Sequence, residues 1–179
     1  MFLNPQKIIE SLKISPGMKV ADFGAGHGYY SIEAAKAVGA NGVVYAIDIR
    51  KEALSVIKSN ARLAGIQNIE TIWADLEKDG ATSIKTGTLN FIIISNVLFQ
   101  AEDKQAIIKE ARRILKPDGK VGILEWNKEN AKTGPPINFR IPKEETIELF
   151  QKSGFLFEKE FNAGDQHYGL VFNLKSQVF

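Results

Sequence analysis

The chain has 179 residues, 44% of them hydrophobic, enough for one globular domain with a sizeable core. Lys+Arg 23 against Asp+Glu 21 leaves a formal charge of +2, so electrostatics makes no case for a nucleic-acid or membrane-surface partner. The absence of cysteine excludes disulfides, thiolate metal sites and cysteine nucleophiles. The start, Met1-Phe2-Leu3-Asn4-Pro5, lacks the charged and apolar regions of a signal peptide. No apolar run approaches ~18 residues, and a soluble cytoplasmic protein is expected. In chain order, Asn4 to Lys13 reads as a short amphipathic helix, with Pro5 in its first turn and Ile8, Ile9 and Leu12 at helical spacing. Pro16-Gly17 closes this N-terminal unit over 1–17, and Lys19 to Phe23 is the first strand.

That strand breaks into Asp22-Phe23-Gly24-Ala25-Gly26-His27-Gly28, three glycines at alternate positions, followed by a helix from Ser31 to Val38 with Gly39 as its C-cap. Strand, glycine turn and helix is how a parallel sheet offers backbone N–H groups to a ligand. Gly42 to Ile47 is a second strand ending at Asp48, and Lys51 to Ala64 is a helix with Leu54, Ile57, Ala61 and Ala64 on one face. Ile69 to Ala74 is a third strand ending at Asp75. Thr88 to Ser95 is an apolar fourth strand, buried on both faces, ending at Asn96. Asp103 to Leu115 is a helix that turns Ile107, Ile108, Ala111, Ile114 and Leu115 inward and leaves Arg112 and Arg113 on a solvated face. Pro117-Asp118-Gly119 is a turn, and Lys120 to Trp126 a fifth strand. The segment 127–142, carrying Gly134-Pro135-Pro136, is irregular. Lys143 to Ser153 is helical, and the strands Phe155 to Phe161 and Tyr168 to Lys175 are joined by a link short enough to force antiparallel pairing. With no repeat or linker, 1–179 reads as one α/β domain.

The Asp22 turn, Asp48, Asp75 and Asn96 fall at the ends of successive strands, and in an open parallel sheet those ends line one ligand crevice. On these residues the chain resembles the class I S-adenosylmethionine-dependent methyltransferases. Asp22 to Gly28 resembles their first motif, Asp48 the acidic end of their second strand, and Trp73-Ala74-Asp75 their third motif. Leu115-Lys116-Pro117-Asp118-Gly119 resembles the turn before their fifth strand. Within the class the chain is most similar to the small-molecule enzymes related to ubiquinone and menaquinone biosynthesis. The resemblance implies a Rossmann-like methyltransferase fold: a mostly parallel seven-stranded sheet with an antiparallel last strand and helices on both faces.

It also implies S-adenosylmethionine as cofactor, no metal, a small-molecule methyl acceptor as partner, and a monomer or homodimer. Asp48 is expected to accept both ribose hydroxyls, Ile49 to pack on adenine, Asp75 to accept the adenine amino group and the Leu76 backbone to meet the ring. Asp22 and the backbone of Gly24, Ala25 and Gly26 are expected to hold the methionine end, with His27 at its border and Asn96 near the methyl group. Read singly, Asp48 and Asp75 are also helix or turn caps, and Asn96 a turn former. Phe99, Arg140 and the segment 127–142 are expected on the acceptor side; Arg140 either holds an anionic acceptor or pairs with Glu144 or Glu145. The turn 162–167 is expected above the same cleft as Gly24 and Asn96. There His167 takes a proton from the acceptor, titrating near neutral pH, or is only a hairpin histidine. Tyr168 either hydrogen-bonds the acceptor or walls its pocket.

Three rivals are set against this reading. A nicotinamide dehydrogenase needs Gly-x-Gly-x-x-Gly, and Tyr29 stands where its third glycine belongs. An RNA methyltransferase remains open to a pI of about 8.7, but Asn96-Val97-Leu98-Phe99 replaces an Asn-Pro-Pro-Tyr-type sequence. A non-catalytic binding module of the same fold differs only in turnover.

Overall fold

The computed structural model describes residues 4–129 and 133–175. Local chemistry starts the first helix, α1 (Pro5–Leu12): the Asn4 side chain accepts the Lys7 N–H at 3.2 Å, and Pro5 needs no partner in the first turn. Its apolar stripe, Ile8, Ile9 and Leu12, is buried. There follow β1 (Lys19–Phe23), α2 (Tyr29–Val38), β2 (Val43–Asp48), α3 (Lys51–Leu63), β3 (Ile69–Trp73) and β4 (Leu89–Ser95). A 3₁₀ turn at Leu98–Gln100 leads to α4 (Lys104–Ile114), where Asp103 accepts the Ala106 N–H at 3.0 Å. The chain ends in β5 (Leu115–Trp126), a second 3₁₀ turn at Ile137–Phe139, α5 (Lys143–Lys152), β6 (Phe155–Phe161) and β7 (His167–Leu174).

The seven strands form one sheet in the order β3-β2-β1-β4-β5-β7-β6. β7 is antiparallel to both β5 and β6, so every other strand points one way. Strand pleating divides the core. Ala21, Phe23, Ile92, Ile94, Val121, Ile123, Leu170 and Phe172 pack beneath α4 and α5. Their neighbours Val20, Phe91, Ile93, Leu124 and Val171 pack beneath α1 and α2. This is the mixed sheet with helices on both faces that the sequence implies. The strand order reverses between β1 and β4, which opens a crevice at their carboxyl ends.

The structure corrects two local readings. Pro117-Asp118-Gly119 does not separate α4 from β5. The strand already starts at Leu115, which pairs with Leu89, and the tripeptide is a register-shifting bulge with Asp118 at φ +61°. Arg113 is not part of a solvated face. Its Nε and Nη2 donate to the buried Glu110 carboxylate at 2.8 and 2.7 Å, and Nη1 donates to the Ile84 carbonyl at 2.9 Å. Glu110 also accepts the N–H and hydroxyl of Thr82, at 3.0 and 2.6 Å, so the pair pins the loop before β4. Burial pushes Glu110 up, but these bonds outweigh it and hold the carboxyl below its ordinary range.

Candidate functional site

β1 ends at Phe23, and the chain reverses through Gly24 at φ +68°, where a Cβ would lie 2.5 Å from Val97 Cγ2. Only glycine lets the segment after β4 close against this turn. The turn is fastened to β2: Ala25 N–H donates to the Ile47 carbonyl and Gly26 N–H to Asp48 Oδ2, both at 2.9 Å. At the foot of the turn Asp22 is fully enclosed and accepts the Ser31 hydroxyl at 2.6 Å. Burial pushes its carboxyl up to about 7 against the Ser31 bonds, and the charge of Asp48 adds to the rise.

Asp48 is nearly enclosed, and its two oxygens are fully engaged. Oδ1 accepts the Arg50 N–H at 2.9 Å and Nε at 3.1 Å, while Oδ2 accepts Gly26 N–H at 2.9 Å and Arg50 Nη2 at 3.3 Å. Burial raises this carboxyl, but the Arg50 and Gly26 bonds outweigh it and hold it below the usual carboxylate range. Arg50 is a residue that the sequence reading missed. Only its position two after Asp48 hinted at the contact.

A cavity of about 410 Å³ opens here, lined by Gly24, Asp48, Ile49, Asp75, Leu76 and Val97 among others. Ile49 is 57% exposed and lines it, an apolar side chain open to a ligand. Asp75 Oδ1 accepts the Glu77 N–H at 3.0 Å, the capping role that its position allowed, and still lines the cavity. Asn96 sits at φ +56°, with Oδ1 buried and unpartnered. His27 is exposed, its ring 5.9 Å from that of Tyr29, and Phe99 packs against the core rather than lining the cavity.

A second cavity of about 390 Å³ lies between 127–129, the start of α5 and the β6–β7 turn, and of the residues expected on the acceptor side Phe99 and Arg140 do not line it. His167 and Tyr168 line this cavity, whereas Gly24 lines the first, so the turn 162–167 does not share the Gly24 cleft as expected. The His167 ring lies against Trp126, tilted by 36° with centroids 4.1 Å apart, and among the described residues its buried Nε2 has no partner. Burial, and then the nearby Arg140 charge, push the imidazole down to about 4, so it does not titrate near neutral pH. The Tyr168 hydroxyl bonds Thr146 Oγ1 at 2.7 Å and the Ile141 carbonyl at 3.1 Å, and burial raises its pKa. It forms a wall. Arg140 is buried and, among the described residues, donates to the carbonyls of Asn127 and Thr133 and twice to that of Pro135. Its guanidinium braces the loop after β5 instead of pairing with Glu144 or Glu145. Residues 130–132 of the irregular segment lie outside the described residues.

The methyltransferase domain family matches residues 14–156. The chain belongs to that family. It is 35% identical over 121 residues to the ubiquinone/menaquinone biosynthesis C-methyltransferase of Shewanella woodyi, covering 67% of this chain and 47% of that protein. An arsenite methyltransferase of Halobacterium salinarum is 29% identical over 112 residues, 63% of this chain and 28% of that one. The chain thus spans about half, or less, of the length of these curated relatives. A crystal structure of an S-adenosylmethionine-dependent methyltransferase from Aquifex aeolicus superposes with a TM-score of 0.89, covering 97% of this chain and 90% of that chain at 24% identity. That neighbour depends on S-adenosylmethionine. The residues fit that group: Asp48, Ile49 and Asp75 border one cavity beside the Gly24 turn. Among the described residues, no helix is long and apolar enough to cross a membrane.

Proposed function

We propose that the chain transfers a methyl group from S-adenosylmethionine to a small-molecule acceptor, as a cytoplasmic monomer or homodimer. The observation that carries the reading is the convergence of Gly24, Asp48, Ile49, Asp75 and Val97 on one cavity at the strand-order reversal. Bound there, the cofactor would supply an electrophilic methyl on a sulfonium: the acceptor's nucleophilic atom would bond to the methyl carbon as the S–CH3 bond breaks and the sulfur departs as a neutral thioether. Asp48 accepts the ribose hydroxyls, Ile49 covers one adenine face, and Asp75 with the Leu76 backbone reads the adenine edge. Asp22 and the glycine turn hold the methionine end, and Asn96 borders the methyl.

The cavity around His167 takes the acceptor. Its walls carry Lys128, Lys143, Glu129, Glu144 and Glu160, and Lys143 bonds Glu160 at 2.9 Å, so no single charge dominates. That balance favours a near-neutral polar molecule with an apolar flank. His167, neutral at pH 7, packs against Trp126 and shapes one wall of this cavity; with its conjugate acid at about 4 it is a weak base. Alignment and exclusion of water then do most of the chemistry.

Isothermal titration tests the reading. Adenosylhomocysteine is expected to bind in the micromolar range without metal, and Asp48→Ala to weaken it by roughly 10–100-fold in a folded protein. Binding of NAD in place of adenosylhomocysteine would overturn the assignment.

A further inference from the structure

The last six residues of β5 read Val121-Gly122-Ile123-Leu124-Glu125-Trp126, and Glu125 interrupts an otherwise apolar stretch with a side chain that has no solvent exposure. A carboxyl is among the groups least often buried, so its partners need an accounting. One oxygen accepts the Leu98 N–H at 2.7 Å, and the Val97, Phe99 and Trp126 N–H groups also act on the carboxylate. The other oxygen, Oε2, is buried without a partner.

Leu98 belongs to the segment that forms one wall of the cofactor cavity. Val97 and Gln100 line that cavity, and Val97 is the side chain that abuts the Gly24 turn. The segment starts from Asn96 in the left-handed region at φ +56°, a conformation that persists only where its surroundings enforce it. Two bonds from β5 enforce it: Asn96 N–H donates to the Leu124 carbonyl at 2.8 Å, and Leu98 N–H donates to Glu125. A third, Gln100 Nε2 to the Asn96 carbonyl at 3.0 Å, closes the segment on itself.

We propose that Glu125 is a positioning residue for the cofactor cavity: its carboxylate, through the Leu98 N–H, sets the wall that Val97 presents to the Gly24 turn. The inference rests on the first cavity being the adenosylmethionine site. The ionised carboxylate is the stronger acceptor, so the wall is held most firmly when Glu125 is charged. Burial, opposed by those N–H groups, pushes its carboxyl up to about 7, which puts the loss of that charge in an accessible pH range. Few titratable groups face it. Tyr168 lies opposite in β7 and keeps its proton, and Glu144 and Glu145 of α5 act on Tyr168. β4 and the segment 96–100 bring no titratable side chain, and α4 turns Ile107 and Ile108 to this face. Asp22 also titrates near 7, on the opposite face of the sheet, and stays intact in every comparison below.

The test uses Glu125→Gln, which keeps the shape and one acceptor oxygen but never carries charge, with two readouts from pH 5.5 to 8.5. One is adenosylhomocysteine affinity by isothermal titration, and the other is hydrogen-exchange protection of the Leu98 amide, corrected for intrinsic rates. The expected result is affinity about tenfold weaker than wild type at pH 8.5, converging with wild type at pH 5.5, with a parallel loss of Leu98 protection and melting within a few degrees. Equal affinity and equal Leu98 protection at every pH would overturn the role of Glu125. Wild-type protein that binds no adenosylhomocysteine would overturn the cavity reading instead, while the Leu98 protection still reports on Glu125.

Discussion

Arg50 stands where the proposed ribose contact must form, and removing it is expected to tighten cofactor binding. Asp48 already accepts four hydrogen bonds, two of them from the Arg50 guanidinium. A diol has to displace those two. The guanidinium is free to leave: the Arg50 side chain is 63% exposed, against 4% for Asp48. With the cation exposed and the carboxylate keeping two backbone N–H groups, the net cost of releasing the guanidinium is about 1 kcal/mol, which corresponds to about fivefold in a dissociation constant. Arg50→Ala leaves the Gly26 N–H and the residue 50 N–H on Asp48, so the strand end keeps its geometry. Titration with adenosylhomocysteine at low and high salt measures the effect. The variant is expected to bind about fivefold tighter at low salt, and the gain to shrink at high salt, where the wild-type pair is screened. Weaker binding by Arg50→Ala would show that the guanidinium contacts the ligand and would refute the displacement.

Two further predictions concern pH. The Asp22 carboxyl is raised from 3.8 to about 7, so the folded state holds a proton that the unfolded chain releases. The resulting stability is complete below pH 3.8 and lost as pH rises through 7, by up to about 4 kcal/mol. Asp22→Asn is therefore expected to melt above wild type at pH 8 and with it at pH 4, and an equal difference at both would contradict this. His167 is lowered from 6.5 to about 4, so its contribution is present above pH 6.5 and lost as pH falls through 4. In single-turnover methyl transfer, His167→Gln is expected to keep its rate within about tenfold between pH 5.5 and 9. A loss of ~10²-fold, with the acidic limb flattened, would restore a base role.

The alternation of helix and strand was legible along the chain because it is written in local periodicity. Thr88 to Ser95 is apolar at every position but three, with Phe91 to Ile94 an unbroken apolar run, which describes a strand covered on both faces, and the observed strand, Leu89–Ser95, is a central one. Gly24, Asp48, Asp75 and Asn96 were legible as strand ends, and parallel topology alone brings strand ends to one edge. Partner choice was not legible in this way. Arg113 looked solvent-facing on its own helix, and only the fold brings Thr82 and the Ile84 carbonyl to it and to Glu110. Arg140 looked free to meet a glutamate until three loop carbonyls closed around it. His167 looked like a neutral-pH titrator until Trp126 and burial removed its water. Apolar pattern is a property of each segment, but the state of a polar group depends on which dipoles and how much water the other segments leave around it. For Glu125 and Asp48 that environment exists only once β1, β2, β4 and β5 lie side by side.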